Sequence, residues 1–300
     1  MRPGCIVLLL ASGVVLAQEA PSSLQADLRA VLDRRLAAVV NALDGVVGYA
    51  AIDLTSGEEI ARLDQQAFPT ASTIKLAILY ELFRQADEGR VALDTPAPLD
   101  RSQVVGGTGI LKALGTPALT PRDHAVLMMS LSDNTSTNVL IERLGLPAIA
   151  SRMHSLGLGG IRLRRKMMDS AAAQRGDENV ATPREIVRLV RVLHAGEGLK
   201  PESKAAALEV LEVGAGGYIR RGIPADVEVL NKPGELEGVR VDAAIVRATH
   251  RPFALAIMTT YLKDEGEGER AIGDLSRAFY EYFSRLGFGS EFGRQLKRPI

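Results

Sequence analysis

Two side chains within residues 68–80 have types and a spacing that could do chemistry, Ser72 and Lys75. Three positions apart on a helix, they share a face one turn from each other. A serine hydroxyl is a poor nucleophile until a neighbouring base takes its proton. A lysine can be that base only when burial or nearby charge lowers its pKa. The neighbourhood favours burial, because Ile74, Ala77, Ile78, Tyr80 and Leu82 make a nearly continuous apolar surface. A helix start also points free backbone N–H groups at any negative charge developing there. The competing reading is a Ser/Thr cap followed by a surface lysine. This motif alone leaves both open.

Two further motifs follow in the chain, Ser132-Asp133-Asn134 and Lys232-Pro233-Gly234. The first is equally a helix N-cap, which its residue types favour. The second is equally an edge-strand charge followed by a turn.

The elements that must position these residues can be read from periodicity. Residues 24–43 carry apolar side chains at helical spacing. Residues 46–54 and 59–63 read as two strands of a hairpin around Thr55-Ser56-Gly57. The Ser72 helix runs to about Asp87, with Gly89 as a cap. Residues 96–121 are loop-rich, and Gly106-Gly107-Thr108-Gly109 within them reads as a turn, since nothing that would cradle phosphate precedes it. Helices are predicted from Thr120 to Leu131 and over 135–144, with Ser132-Asp133-Asn134 between them. The polar stretch 157–181 is a long loop, of the kind that is usually functional. Helices at 182–194 and 202–213, strands at 227–232, 239–249 and 252–262, and a helix at 271–286 complete the chain. Strands at both ends must pair for either to be stable. The expected fold class is therefore α+β, an α/β/α sandwich with an antiparallel sheet of about five strands, terminal helices on it and an inserted all-α lobe. The sheet lobe takes 22–68 and 215–290, the helical lobe 69–214, and 291–300 is a polar tail. Ser72 falls at the seam, where clefts form.

Together, in this order and on these elements, the three motifs resemble the serine β-lactamase and penicillin-binding-protein superfamily, whose set is Ser-x-x-Lys, Ser-Asp-Asn and Lys-Thr-Gly. The class A branch is the nearest likeness, through the helical insertion, the segment at 107–111 and Thr182-Pro183. The resemblance implies Ser72 as nucleophile, Lys75 as a base in acylation and Ser132 as proton donor to the departing amine. It implies substrate contacts from Asn134, Lys232, Gly234 and Glu235, with the backbone N–H groups of Ser72 and Glu235 holding the oxyanion. Such a division of labour suits attack on an amide.

Two departures stand out. Class A enzymes activate the deacylating water with a loop glutamate before proline, but the matching loop here reads Arg164-Arg165-Lys166-Met167-Met168-Asp169. Lys166 or Met167 would take that site. Asp169, the nearest carboxylate, is the candidate deacylation base, with a structural ion pair to the cations beside it as the favoured reading, and Glu178 lies further on. Pro233 replaces the hydroxyl residue that binds the substrate carboxylate in that family; Arg240 is the candidate substitute, with an ordinary solvated strand residue as the competing reading.

Composition bounds the rest. Three hundred residues at 46% hydrophobic content can bury a large core, and zero formal net charge argues against nucleic acid as partner. Met1-Arg2 and the apolar run at 5–16 read as a signal peptide over 1–17, so a periplasmic or secreted location is expected. Cys5 is the sole cysteine, which leaves the mature chain without disulfides. No metal or cofactor is expected, and the chain should be a monomer. The expected activity is an acyl-enzyme hydrolase acting on a small-molecule β-lactam, with slow deacylation. The alternatives are a peptidase on D-alanyl-D-alanine-like peptides and a non-turnover penicillin-binding sensor.

Overall fold

The computed structural model describes residues 23–295, with 215 and 291 excepted. The run that reads as a signal peptide and residues 296–300 of the tail lie outside the described residues. Helix α1 (Ser23–Ala42) leads into the hairpin β1 (Val46–Asp53) and β2 (Glu59–Arg62). Buried Asp53 fixes its turn, accepting from Thr55 N at 2.8 Å and from Arg251 Nε at 2.6 Å. After β3 (Phe68–Pro69), a single 3-10 turn, Ala71–Ile74, runs straight into α2 (Lys75–Asp87). Ser72 thus sits in the tighter turn ahead of the α-helix rather than inside it. Gly89, with φ +73°, ends the helix as expected.

The loop-rich stretch is tied by two-residue strands, β4 (Ala97–Pro98) and β5 (Ala118–Leu119). Helix α3 (Pro121–Ser130) opens on a reciprocal capping box: Thr120 Oγ1 accepts from Asp123 N at 3.0 Å, and Asp123 accepts from Thr120 N at 2.8 Å. Helices α4 (Asn134–Leu144) and α5 (Leu146–Ser155) follow. Helix α5 is not announced by the sequence. The predicted loop holds a short α6 (Ser170–Gln174) and closes through β6 (Val180–Ala181), which pairs with β3. Then come α7 (Pro183–Ala195), α8 (Pro201–Glu212), β7 (Val229–Leu236), β8 (Val239–Val246), β9 (Phe253–Thr260) and α9 (Glu265–Phe288).

The large sheet runs β2-β1-β9-β8-β7, every pair antiparallel. First and last strands join as expected, from Val46 opposite Thr260 to Asp53 opposite Phe253. Strand alternation then divides the core in two. Val47, Tyr49 and Ala51 with Phe253, Leu255 and Ile257 face α1 and α9, where Phe253 stacks on Phe283 at 4.6 Å. Ala50, Ile52, Ala254, Ala256 and Met258 face the helical side, which is built around α2. Leu76 to Leu79 are all 0% exposed, so α2 is buried on every side. One boundary differs from expectation: α7, counted with the helical lobe, packs directly on β1, β8 and β9. Its apolar stripe (Ile186, Val187, Val190) completes the third layer of the sandwich. Among the described residues no helix is long and apolar enough to cross a membrane. Of the tail, Gln295 makes an isolated bridge to Gly289.

Candidate active site

The turn carrying Ser72 is pressed against β7. A Cβ on Gly234 would lie 2.6 Å from Ser72 N and 2.9 Å from Ala71 Cβ, so only glycine permits the approach. Ala71 itself holds φ +43°, a left-handed conformation costly for a residue with a Cβ. The loop carrying Asn179 braces this turn. Asn179 O accepts from Thr70 N at 2.9 Å and Thr70 Oγ1 at 3.1 Å, while its amide holds the backbone of Arg164 and Arg165.

Lys75 is 0% exposed at the start of α2. Its Nζ donates to Ser132 O at 2.8 Å, Ser132 Oγ at 2.9 Å and Asn134 Oδ1 at 3.2 Å. Burial, reinforced by the charge of Lys232 and opposed by Asp133, holds its pKa well below the ordinary lysine value. Ser132 Oγ in turn donates to Ser72 Oγ at 2.9 Å. Base and nucleophile are therefore linked through the second serine. Hydroxyl protons rotate, so the same chain can carry a proton from Ser72 to Ser132 and from Ser132 to a neutral Lys75.

Ser132 is aimed by a strained backbone, φ +52°, between α3 and α4. Asp133 holds that geometry: one carboxylate oxygen caps α4 at Ser136 N (2.8 Å), and the other takes Ile110 N (2.6 Å) and Leu111 N (2.9 Å). The glycine turn of 106–109 is thereby drawn to the cleft, where Gly107 and Thr108 form part of the rim. Asn134 is buried beside them, with its Oδ1 on Lys75 and its Nδ2 3.4 Å from Gly106 O.

Lys232, within β7, is 2% exposed and donates to Pro233 O at 3.0 Å. Burial lowers its pKa to about 8, with Asp242 and Glu235 working against the shift. Asp242, wholly buried, is raised to about 6 by desolvation, moderated by hydrogen bonds from Asn231 Nδ2, Ile219 N and Tyr218 N and by Lys232. Glu235, the next residue after Gly234, is exposed at the cleft, and its carboxylate accepts from Tyr218 Oη at 2.5 Å. Burial, then that hydrogen bond, raises the tyrosine pKa far above its usual value.

Arg240 is not brought to the cleft. Its guanidinium is bound by Glu269 at 3.2 Å and by the carbonyls of Leu236 and Val239 at 3.0 and 2.9 Å, so the hairpin turn and α9 satisfy it instead. The 157–181 loop corrects a second expectation. Asp169 is not ion-paired with its cationic neighbours; it caps α6, accepting from Ala172 N at 2.9 Å. The cations go elsewhere, Lys166 to Glu142 and Arg165 to Glu178 at 2.8 Å. Of the two residues that could replace the loop glutamate, Met167 is the one at the cleft, 8% exposed. Buried Asn138 grips its backbone on both sides, N to Oδ1 at 2.8 Å and Nδ2 to O at 3.0 Å.

The cleft encloses about 300 Å³ between the Ser72 turn, the glycine rim, the loop and β7. It gathers Ser72, Asn134, Glu235 and Asp169 at its walls, with Lys75 and Ser132 hydrogen-bonded behind Ser72 and Lys232 buried on β7. Asn138, Asn179, Tyr218 and Asp242 were not singled out in the sequence. Only Asn138 left a signal, four residues after Asn134 and hence on the same face of α4.

Residues 31–283 match the model of the β-lactamase enzyme family. The carbapenem-hydrolyzing β-lactamase KPC of Klebsiella oxytoca is 27% identical over 245 residues, 79% of this chain and 84% of that one. A β-lactamase of Sphaerobacter thermophilus superposes with a TM-score of 0.77 at 32% identity, covering 83% of this chain and 95% of that structure. PBP-A superposes with a TM-score of 0.80 at 25% identity over 90% of this chain and all of its own. A mutant of it has been solved as an acyl-enzyme complex with penicillin G. An ancestral class A β-lactamase also aligns, with a TM-score of 0.78. The chain belongs to the β-lactamase enzyme family and is a β-lactamase-like hydrolase of the class A kind.

Proposed function

We propose that the chain opens the amide of a β-lactam ring through an acyl-enzyme on Ser72 and releases the acyl group slowly. The observation that carries this reading is the unbroken chain from Lys75 Nζ through Ser132 Oγ to Ser72 Oγ, 2.9 Å at each step, ending in an open cleft. Ser72 Oγ forms a bond to the carbonyl carbon as its proton moves through Ser132 to Lys75. The N–H groups of Ser72 and Glu235 hold the oxyanion, and the C–N bond breaks as Ser132 returns a proton to nitrogen. Water must then cleave the ester. Met167 supplies no base at the loop position nearest it, and Glu178 is engaged by Arg165 and by Asn179 N. Slow release follows. Met167 also favours a second reading, hydrolysis of D-alanyl-D-alanine-like peptides. Export to the periplasm or medium is proposed from the charged start and apolar run at 5–16.

Intact mass followed over time with penicillin G tests the reading. A persistent adduct, absent in Ser72→Ala and slowed on the order of 10²-fold in Ser132→Ala, is the expected result. Labelling that survives in Ser72→Ala would remove Ser72 as nucleophile.

A further inference from the structure

A second cavity, of about 300 Å³, lies between the β4–β5 pair and helices α3 and α4, and none of its lining residues belongs to the Ser72 cleft. Its volume is at the lower end of the range for small-ligand sites. Leu99, Leu119, Pro121 and Leu140 make the walls largely apolar. One buried polar side chain stands among them. His124, 5% exposed, sets Nδ1 against Ser136 Oγ at 3.2 Å. Its Nε2 has no partner among the described residues and is not sealed from solvent, so it opens into the cavity. Burial holds the imidazole below its ordinary pKa, opposed by Asp123 and Asp133 and reinforced by the charge of Arg143. Near pH 7 the ring is therefore neutral, with one N–H and one lone pair to place.

The charged residues of the lining are unequally engaged. Glu142 is held by Lys166, and Asp100 caps the 3-10 turn at 101–103, accepting from Ser102 N at 2.8 Å. Arg143, exposed in the last turn of α4, has no hydrogen-bond or ion-pair partner among the described residues. A guanidinium left open beside an apolar hollow suits a carboxylate, which it binds through two parallel N–H groups. The field of Arg143 already reaches His124. A carboxylate accepting from Nε2–H as well selects that tautomer and leaves Nδ1 to accept from Ser136 Oγ. We propose that this cavity is a second binding site, for a small organic carboxylate whose apolar body is the size of one six-membered ring, with Arg143 and His124 as its polar contacts. The proposal goes beyond the acyl-enzyme reading and does not depend on it, because its readout is binding.

Three probes with one ring and different charge at the polar end decide it: cyclohexanecarboxylate (anionic), cyclohexanecarboxamide (neutral) and cyclohexylmethylammonium (cationic). The chain has four histidines, so their imidazole C–H resonances can be followed singly by NMR, and His124→Phe assigns the signal of His124. The carboxylate should move that signal saturably, with a Kd of about 1 mM or tighter. The amide should bind at least about fivefold more weakly, the scale of one partly screened charge contact, and the ammonium more weakly still. Arg143→Gln, at an exposed position where no packing is at risk, should raise the carboxylate Kd about fivefold and leave the amide Kd within about twofold. No saturable shift by about 10 mM carboxylate overturns the proposal. So does equal affinity for carboxylate and amide, tighter binding of the ammonium, or a carboxylate Kd unmoved by Arg143→Gln.

Discussion

Replacing Lys75 with methionine separates its chemistry from its burial. The methionine side chain has about the length of the lysine stem and fills the same space. It removes the proton acceptor at the end of the serine chain and three donated hydrogen bonds of 2.8, 2.9 and 3.2 Å. Loss of a general base costs acylation on the order of 10²- to 10⁴-fold. The stability effect follows from the depressed pKa. Between that lowered value and the ordinary 10.5, the unfolded chain holds a proton on Lys75 that the folded chain does not. Stability of the parent protein therefore rises with pH across this window, by about 1.4 kcal/mol per pH unit from this group. Lys75→Met lacks the term, so its stability relative to the parent should fall by that slope as pH rises. Lys232, whose pKa burial lowers to about 8, is present in both proteins and largely cancels in the difference. Urea unfolding at pH 7, 8 and 9 measures the difference, and single-turnover labelling measures acylation. Parallel stability profiles would show that Lys75 is not desolvated as described. Acylation within about threefold of the parent would refute its role as base.

Asp169→Asn should change acyl release less than tenfold and stability by less than about 0.5 kcal/mol, because asparagine caps a helix as well as aspartate; a collapse in release, followed by mass, would make Asp169 the missing base. Asn138→Ala strands the N–H and C=O of buried Met167, at a cost of about 2–4 kcal/mol in urea unfolding, with faster proteolysis within 162–181. Asp242, with its pKa raised to about 6, binds more protons folded than unfolded, so its contribution is full below pH 3.8 and is lost as pH rises through 6. Between pH 4 and pH 7 the parent should lose about 2 kcal/mol relative to Asp242→Asn, measured by denaturation at those two pH values.

Features set by local chemistry were legible in the sequence. The capping pair Thr120 and Asp123, the apolar run of β1 and the burial of α2 all follow from residues near one another. The three motifs could be located for the same reason. Helix α5 was missed because Ile149 and Met153 are its only buried residues, too sparse a stripe to show a period. The start of α9 was placed at Ala271 because its first turn, from Glu265, is acidic and glycine-rich and is set by the Asp264 cap. Arg240 and Asp169 were misjudged on charge proximity along the chain, whereas Glu269 and Ala172 N decided their geometry. Asn179 and Asp242 hold backbone groups, and Tyr218 the Glu235 carboxylate, brought close only by the finished fold, and no spacing announces that.

The position of β9 has a consequence for how the chain is made. It lies between β1 and β8, so the strands synthesised first and late are joined only by one that emerges near the end, at Phe253–Thr260. Until then β1 and β2 are a lone hairpin, marginal by itself, and β8 presents an open edge. Closing that gap pairs residues some two hundred positions apart, which makes assembly slow and late. A nascent chain halted before Phe253 therefore has no sheet to complete, and the Ser72 turn has no finished wall to press against.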